Sequence, residues 1–204
     1  MKVLMLNGSP HKEGCTYTAL REVEKTLNES GVETELLWLG NGPMRDCVAC
    51  HACRELRKCA FDDDIVNAII EKAADCAGFV FGTPVYYAHA SGRALSVLDR
   101  VFFAGGRNFA HKPGAAVCSA RRSGTTATFD VMNKYFTISQ MPVVGSSYWN
   151  AVHGNTPEEV LQDAEGLQTM RNLGRNMAWL LKCIEQSGIP APKGEFDSWT
   201  NFIR

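Results

Sequence analysis

Charge of one sign is missing from this chain. Twenty-one Lys and Arg stand against 22 Asp and Glu over 204 residues, a formal net charge of −1. Nucleic acid is therefore not an expected partner, and only a local patch could attract a polyanion. Long apolar runs are also missing. The opening Met1-Lys2-Val3-Leu4-Met5-Leu6-Asn7-Gly8 is too short for a secretory signal, and no stretch is long enough to span a membrane. A cytoplasmic protein away from the membrane is the expectation. No internal repeat, low-complexity tract or Pro- and Gly-rich linker divides the sequence, which reads as one domain over 1–204. There is no Gly-Lys-Ser/Thr phosphate loop, no dinucleotide fingerprint and no evident catalytic triad.

Apolar residues are present at 45%, enough for a sizeable core. They fall into short runs that alternate with amphipathic stretches. Val3–Leu6, Thr34–Leu39, Gly78–Gly82, Ala115–Cys118 and Met141–Val144 read as five buried strands. Between them, Ala19, Leu20, Val23 and Leu27 follow a helical period that Gly31 stops. Asp62-Asp63-Asp64 opens a helix through Ile65, Ala68, Ile69 and Ala73, with carboxylates at the positive end of its dipole. Leu95, Leu98, Val101 and Phe102 mark another helix, residues 125–136 a further one. Leu167, Met170, Leu173, Met177, Leu180, Leu181 and Ile184 form the stripe of a long closing helix. Strands alternating with helices predict right-handed crossovers and a doubly wound parallel α/β sheet. The tail from 188 to 204, with Phe196, Trp199 and Phe202, is irregular. It is expected to pack on its own domain, with a clasp onto a second subunit as the other reading.

Ligands of such sheets bind beyond the carboxyl ends of the strands. Three loops there carry chemistry. Asn7-Gly8-Ser9-Pro10-His11-Lys12-Glu13-Gly14-Cys15-Thr16-Tyr17 runs from the first strand into a helix, so free N–H groups and a helix dipole can meet a phosphate, helped by the Ser9 and Thr16 hydroxyls. The same residues also suit an ordinary strand–turn–helix connection. Gly82-Thr83-Pro84-Val85-Tyr86-Tyr87-Ala88-His89 puts two aromatics at the ligand edge, either for a planar ring or for the core. Ser119-Ala120-Arg121-Arg122-Ser123-Gly124 offers two arginines, either to an anion or to solvent.

The eight cysteines are the chain's most distinctive content. Four form Cys47-x2-Cys50-x2-Cys53-x5-Cys59, within a segment 45–60 that follows the second strand. Thiolates packed this closely suit a cubane iron–sulfur cluster. An empty or oxidised loop and a zinc ion are the alternatives, zinc being less suited because its ligand pairs are usually separated by a longer spacer. Arg45, Arg54, Arg57 and Lys58 would offset thiolate charge or simply face solvent. Cys76, Cys118 and Cys183 sit in apolar surroundings and read as core residues. His153, in Tyr148-Trp149-Asn150-Ala151-Val152-His153-Gly154, reads as a hydrogen-bonded loop histidine without a partner visible in the sequence, with a reach to a bound ligand as the other reading.

Together, Gly8-Ser9-Pro10 with Gly14-Cys15-Thr16, Thr83-Pro84-Val85-Tyr86-Tyr87, Ser91-Gly92 leading to Leu98-Asp99-Arg100, and the cysteine quartet resemble the flavodoxin-like NADPH-dependent FMN reductases, in particular their iron–sulfur flavoprotein branch. The resemblance implies five parallel strands in the order 2-1-3-4-5 with helices on both faces, and FMN as cofactor. It implies that Ser9 and Thr16 hold the phosphate within a loop that also presents His11 and Cys15. Thr83, Pro84, Val85 and Tyr86 would wrap the ring, which Ser119, Arg121, Arg122 and Gly124 would flank. It further implies a [4Fe–4S] cluster on Cys47, Cys50, Cys53 and Cys59, NAD(P)H as electron donor, a small-molecule or protein redox partner, and a homodimer or homotetramer. Cys15 departs from the family, which commonly has Asn there. The expected activity is that of a flavin oxidoreductase. A flavodoxin-like carrier without turnover and a zinc or thiol-switch protein on the same fold remain the alternatives.

Overall fold

The structure, a computed structural model, describes residues 1–200 and 202. Its centre is β1 (Lys2–Asn7), in which Val3, Leu4 and Met5 are fully buried. A strand buried on both faces cannot alternate apolar with polar, which is why its sequence is a continuous apolar run. Parallel neighbours pair on either side: β2 (Glu33–Trp38), and β3 (Gly78–Tyr86). Beyond β3 lie β5 (Gly114–Ala120) and then β6 (Ala151–His153), giving the order β2-β1-β3-β5-β6. This is the expected sheet of five parallel strands. It gains one unexpected piece, β4 (His89–Ala90), which turns back antiparallel on the end of β3.

Helices cover both faces. Val3 and Met5 pack against α1 (Cys15–Glu29) and α7 (Ala164–Ser187), while Leu4 and Leu6 face α3 (Val66–Asp75), α4 (Gly92–Gly105) and α5 (Thr125–Ile138). Fully burying one such Leu or Met is worth about 1.5–3 kcal/mol. Two short helices, α2 (Cys53–Leu56) and α6 (Pro157–Val160), complete the described elements with a 3-10 turn at Gly106–Asn108.

Three expectations need correction. The fifth strand is not Met141–Val144. Met141 and Val144 are buried, but Pro142 and Val143 are exposed, Pro142 has no N–H to donate, and pairing is confined to both sides of Gly114: Gly114 N to Pro142 O at 2.9 Å and Val144 N to Gly114 O at 2.9 Å. The chain then loops out and rejoins the sheet at Ala151. Cys183 is exposed, not core, because it lies on α7 about half a turn away from the buried Met177 and Leu181. Cys76 and Cys118 are buried as expected. The described aromatics of the tail do not pack into the domain: after Gly188 ends α7 in the left-handed region, Phe196, Trp199 and Phe202 are all exposed.

Two tests follow from the packing. A methyl group on Gly82 would lie 2.7 Å from Leu20 Cδ1 and 2.9 Å from Thr16 Cγ2, so this glycine lets α1 approach β3. Gly82→Ala should cost about 1–3 kcal/mol in urea unfolding. Burial pushes the Cys118 thiol from 9.0 up to about 12. The unfolded thiol ionises first, so its contribution to stability is complete below pH 9.0 and is lost as pH rises towards 12. Cys118→Ala should flatten that part of the stability–pH curve, measured by denaturant unfolding across the range.

Candidate functional site

The site begins where β1 ends. Asn7 is fully buried; its Oδ1 accepts from Ser9 N at 3.1 Å and its Nδ2 donates to Lys12 O at 3.0 Å, folding the following loop onto the strand end. Gly8 N donates to Gly82 O at 2.8 Å, and a Cβ on Gly8 would meet that oxygen and Ala94 Cβ, each at 2.9 Å. Only glycine fits. Ser9 Oγ accepts from His11 N at 3.2 Å, and Ser9 O accepts from Trp38 Nε1 at 2.8 Å. The loop leads into α1, whose N-terminus has neither a side-chain cap nor an acidic residue in its first turn. Its first N–H groups and the positive end of its dipole are thus open to an anion.

Around this helix end the three loops meet in one pocket of about 260 Å³. Ser9, His11, Cys15 and Thr16 line it from the first loop, Pro84, Val85 and Tyr86 from the second, Ser119 and Arg121 from the third. Thr16 and Ser119 share a hydroxyl hydrogen bond of 2.8 Å across its floor. Three expected residues stand back from it. Thr83 is fully buried and joins Ser91 in a hydroxyl pair, and Ser91 Oγ in turn donates to Gly8 O at 3.0 Å. Gly124, at φ 93, sits where a Cβ would be 2.6 Å from Val85 Cγ1, so it lets the third loop close on the second. Arg122 is exposed beside the pocket. Neither Arg121 nor Arg122 has an ion-pair partner among the described residues.

The sequence reading missed a fourth wall, Gly154 and Asn155. Cys15 Sγ donates to Gly154 O at 3.6 Å; burial raises the thiol pKa, its own backbone bond works the other way, and Glu159 and Glu158 raise it further. His153 finds its partner in Asp163, whose Oδ2 accepts from His153 N at 2.7 Å and lies 3.8 Å from Nδ1. It belongs to β6 and does not line the pocket.

The cysteine quartet occupies a second place, against the later turns of α4. All four cysteines line one cavity with Phe61, Arg100 and Phe103. Among the described residues, no three His, Cys, Asp or Glu converge as ligands of a single ion. The segment hangs on one face of α4. Arg93 bonds Leu39 O and Gly42 O, Ser96 bonds Asp46, Arg100 bonds Arg45 O, Cys59 Sγ, Phe61 O and Asp64, and Phe103 O accepts from Cys53 Sγ at 3.8 Å. Spacings of three and four make these one helix face. Burial opposes the charge of Arg100, but the bonds to Asp64 and Cys59 outweigh it and hold its pKa above the ordinary arginine value. Asn67 clamps the backbone of Cys59 from the other side, accepting from its N–H at 2.8 Å and donating to its carbonyl at 3.0 Å. Ala49, His51 and Arg57 all have positive φ, so the segment is held in conformations that cost about 1 kcal/mol or more each.

With this geometry established, relatives can be placed. The pattern of the NADPH-dependent FMN reductase family matches residues 1–156. The chain belongs to that family. An iron–sulfur flavoprotein of Methanocaldococcus jannaschii is 34% identical over 194 residues, covering 91% of this chain and all of that one. An iron–sulfur flavoprotein of Methanosarcina thermophila is 29% identical over 192 residues, covering 92% and 98%. Among solved structures, a flavodoxin from the domain Archaea superposes with a TM-score of 0.62 at 13% identity, over 89% of this chain and 99% of that one, which supports the fold alone. The fold is thus flavodoxin-like, and family membership makes the protein a flavin-dependent oxidoreductase with FMN as its cofactor. No described helix is long and apolar enough to cross a membrane.

Trp38 was not singled out from the sequence, yet its indole fixes the carbonyl of Ser9. Trp38→Phe removes one hydrogen bond of about 1 kcal/mol. FMN should bind several-fold more weakly to the variant in a flavin-fluorescence titration.

Proposed function

We propose that this protein is an FMN oxidoreductase that links a two-electron donor to a one-electron centre held by Cys47, Cys50, Cys53 and Cys59. The observation that carries the reading is the meeting of three strand-end loops at the uncapped end of α1, with a cysteine-lined cavity against the later turns of α4. When bound, FMN supplies hydride and single-electron exchange at its ring, and a [4Fe–4S] cluster supplies one-electron exchange.

The residues divide the work. The first N–H groups of α1, with the Ser9 and Thr16 hydroxyls, receive the single phosphate. Pro84, Val85 and Tyr86 form the wall for the planar ring, and Tyr86 extends into the hairpin that closes over it. Arg121 and Arg122 are free cations at the rim, suited to negative charge on the reduced ring or to a nicotinamide nucleotide phosphate. The cysteine cavity fits a cluster better than zinc. A structural zinc ion usually takes ligand pairs separated by a longer spacer, whereas a cubane bonds each of four thiolates to a different iron, and these four closely spaced cysteines all line one cavity. The iron–sulfur flavoproteins among the relatives favour the same reading. NAD(P)H is the proposed donor, and a homodimer or homotetramer the proposed assembly, in which the exposed Phe196, Trp199 and Phe202 would find cover.

Protein purified without oxygen should show flavin absorption and about four irons and four sulfides per chain. NADPH should bleach the flavin rapidly. Reduction only by a protein carrier would instead favour the electron-carrier reading, and a colourless protein that contains zinc and rejects added FMN would overturn the proposal. Cys50→Ala should lose iron and keep flavin, because the two cavities share no lining residue.

A further inference from the structure

Arg100 is 2% exposed and spreads its five N–H donors over four partners. Its Nη atoms take both oxygens of Asp64, the carbonyl of Arg45 at 3.3 Å and that of Phe61 at 3.3 Å. Asp64 alone answers the charge of the buried guanidinium. Charge pairing leaves unexplained why Nε–H points at a cysteine, Cys59 Sγ, at 3.3 Å. Cys59 is set apart from its three companions. Its backbone is clamped at both ends by Asn67, and its sulfur receives a bond from a permanent cation. Cys47 and Cys50 are exposed, and among the described residues neither thiol has a hydrogen-bond partner.

We propose that Arg100 is the positioning residue of the cysteine site, presenting Cys59 as a pre-formed ligand and setting the reduction potential of the iron–sulfur centre through its Nε–H bond to the ligand sulfur. The proposal rests on the cluster reading above. A hydrogen bond from a cation to a ligating sulfur stabilises the negative charge added on reduction, so it raises the potential. The planar fork of arginine is required, because its donors leave in fixed directions and one group must reach Cys59, Asp64, Phe61 and Arg45 together. A lysine ammonium keeps the charge but is a compact point donor without that spread.

Arg100→Lys and Arg100→Gln test this, with circular dichroism and FMN content reporting that the fold survives. Both variants should lose iron to a chelator about tenfold faster than wild type, the usual cost of removing a partner of a metal ligand. Their cluster potential should move to more negative values while the flavin potential stays in place. In iron-free protein, alkylation of Cys59, read by peptide mass mapping, should speed up relative to Cys47 and Cys50. Folded variants with unchanged iron release, cluster potential and Cys59 labelling would overturn the proposal. A wild type without iron would refute the cluster reading instead, and the labelling would still decide whether Arg100 positions Cys59. Wild-type protein carrying ¹⁵N only in its arginines gives a readout that needs no variant. Pulsed EPR of its reduced cluster should detect an arginine nitrogen, and the absence of that coupling would count against the bond.

Discussion

A guanidinium buried in the second half of α4 is the interaction on which the whole cysteine segment depends. Taking such a charge out of water costs several kcal/mol, and only a well-made set of partners offsets that. Arg100 has them in Asp64, the carbonyls of Arg45 and Phe61, and the sulfur of Cys59. Those partners come from both ends of the cysteine segment, so one side chain closes a loop that has almost no regular structure of its own. The same helix begins at Ser91, whose hydroxyl caps it and bonds Gly8 O in the phosphate loop. Nine residues separate Ser91 from Arg100, about 14 Å of helix. A helix of that length therefore joins the loop after β1 to the wall of the cysteine cavity.

The sheet explains why the pocket sits where it does. With Val3 to Asn7 of β1 and Gly78 to Pro84 of β3 buried, the side chains along those stretches are committed to packing, and polar groups are confined to where the pairing of the two strands ends. Asn7 ends β1, and Thr83 follows Gly82, the last residue of β3 that pairs with β1. Both are fully buried, and both spend their hydrogen bonds on neighbouring loops: Asn7 on the residues before α1, Thr83 on Ser91. Gly8 lets the loop after β1 approach the Gly82 carbonyl, and Gly82 lets α1 approach β3 there. The core thus ends in a layer of satisfied polar groups, and the pocket is the space above that layer.

Much of this was legible in the sequence because it follows from period and punctuation. The apolar runs located four of the five parallel strands, and Asn7-Gly8-Ser9, Thr83-Pro84 and Ser119 marked the loops that meet in the pocket. What the sequence hid was hidden for physical reasons. β6 is only three residues, Ala151–His153, and carries no run to detect, whereas Met141–Val144 has the run but lacks the donor at Pro142. Misplacing that strand also concealed Gly154 and Asn155, since the pocket wall lies just after the true strand end. The role of Arg100 was invisible for another reason. In sequence it is one polar residue on an amphipathic helix, and its partners lie 36 to 55 positions away.

The cysteine segment and the flavin pocket draw on different sources of stability. The pocket is built on strand ends whose side chains belong to the core, and it needs no metal to keep its shape. The segment is held mainly by polar contacts to α4, with four exposed or half-buried thiols and three non-glycine residues in the left-handed region. Such a segment opens locally at a lower free energy than the sheet beneath it. Four metal–thiolate bonds would supply what its packing lacks, because cross-links across a thirteen-residue span remove chain entropy that polar contacts to a helix cannot. Loss of metal would then release the loop without disturbing the flavin. The coupling between the sites would run through α4, with Arg100 as its contact on the cysteine side, and through Trp38, which ends β2 just before the segment and bonds Ser9 O.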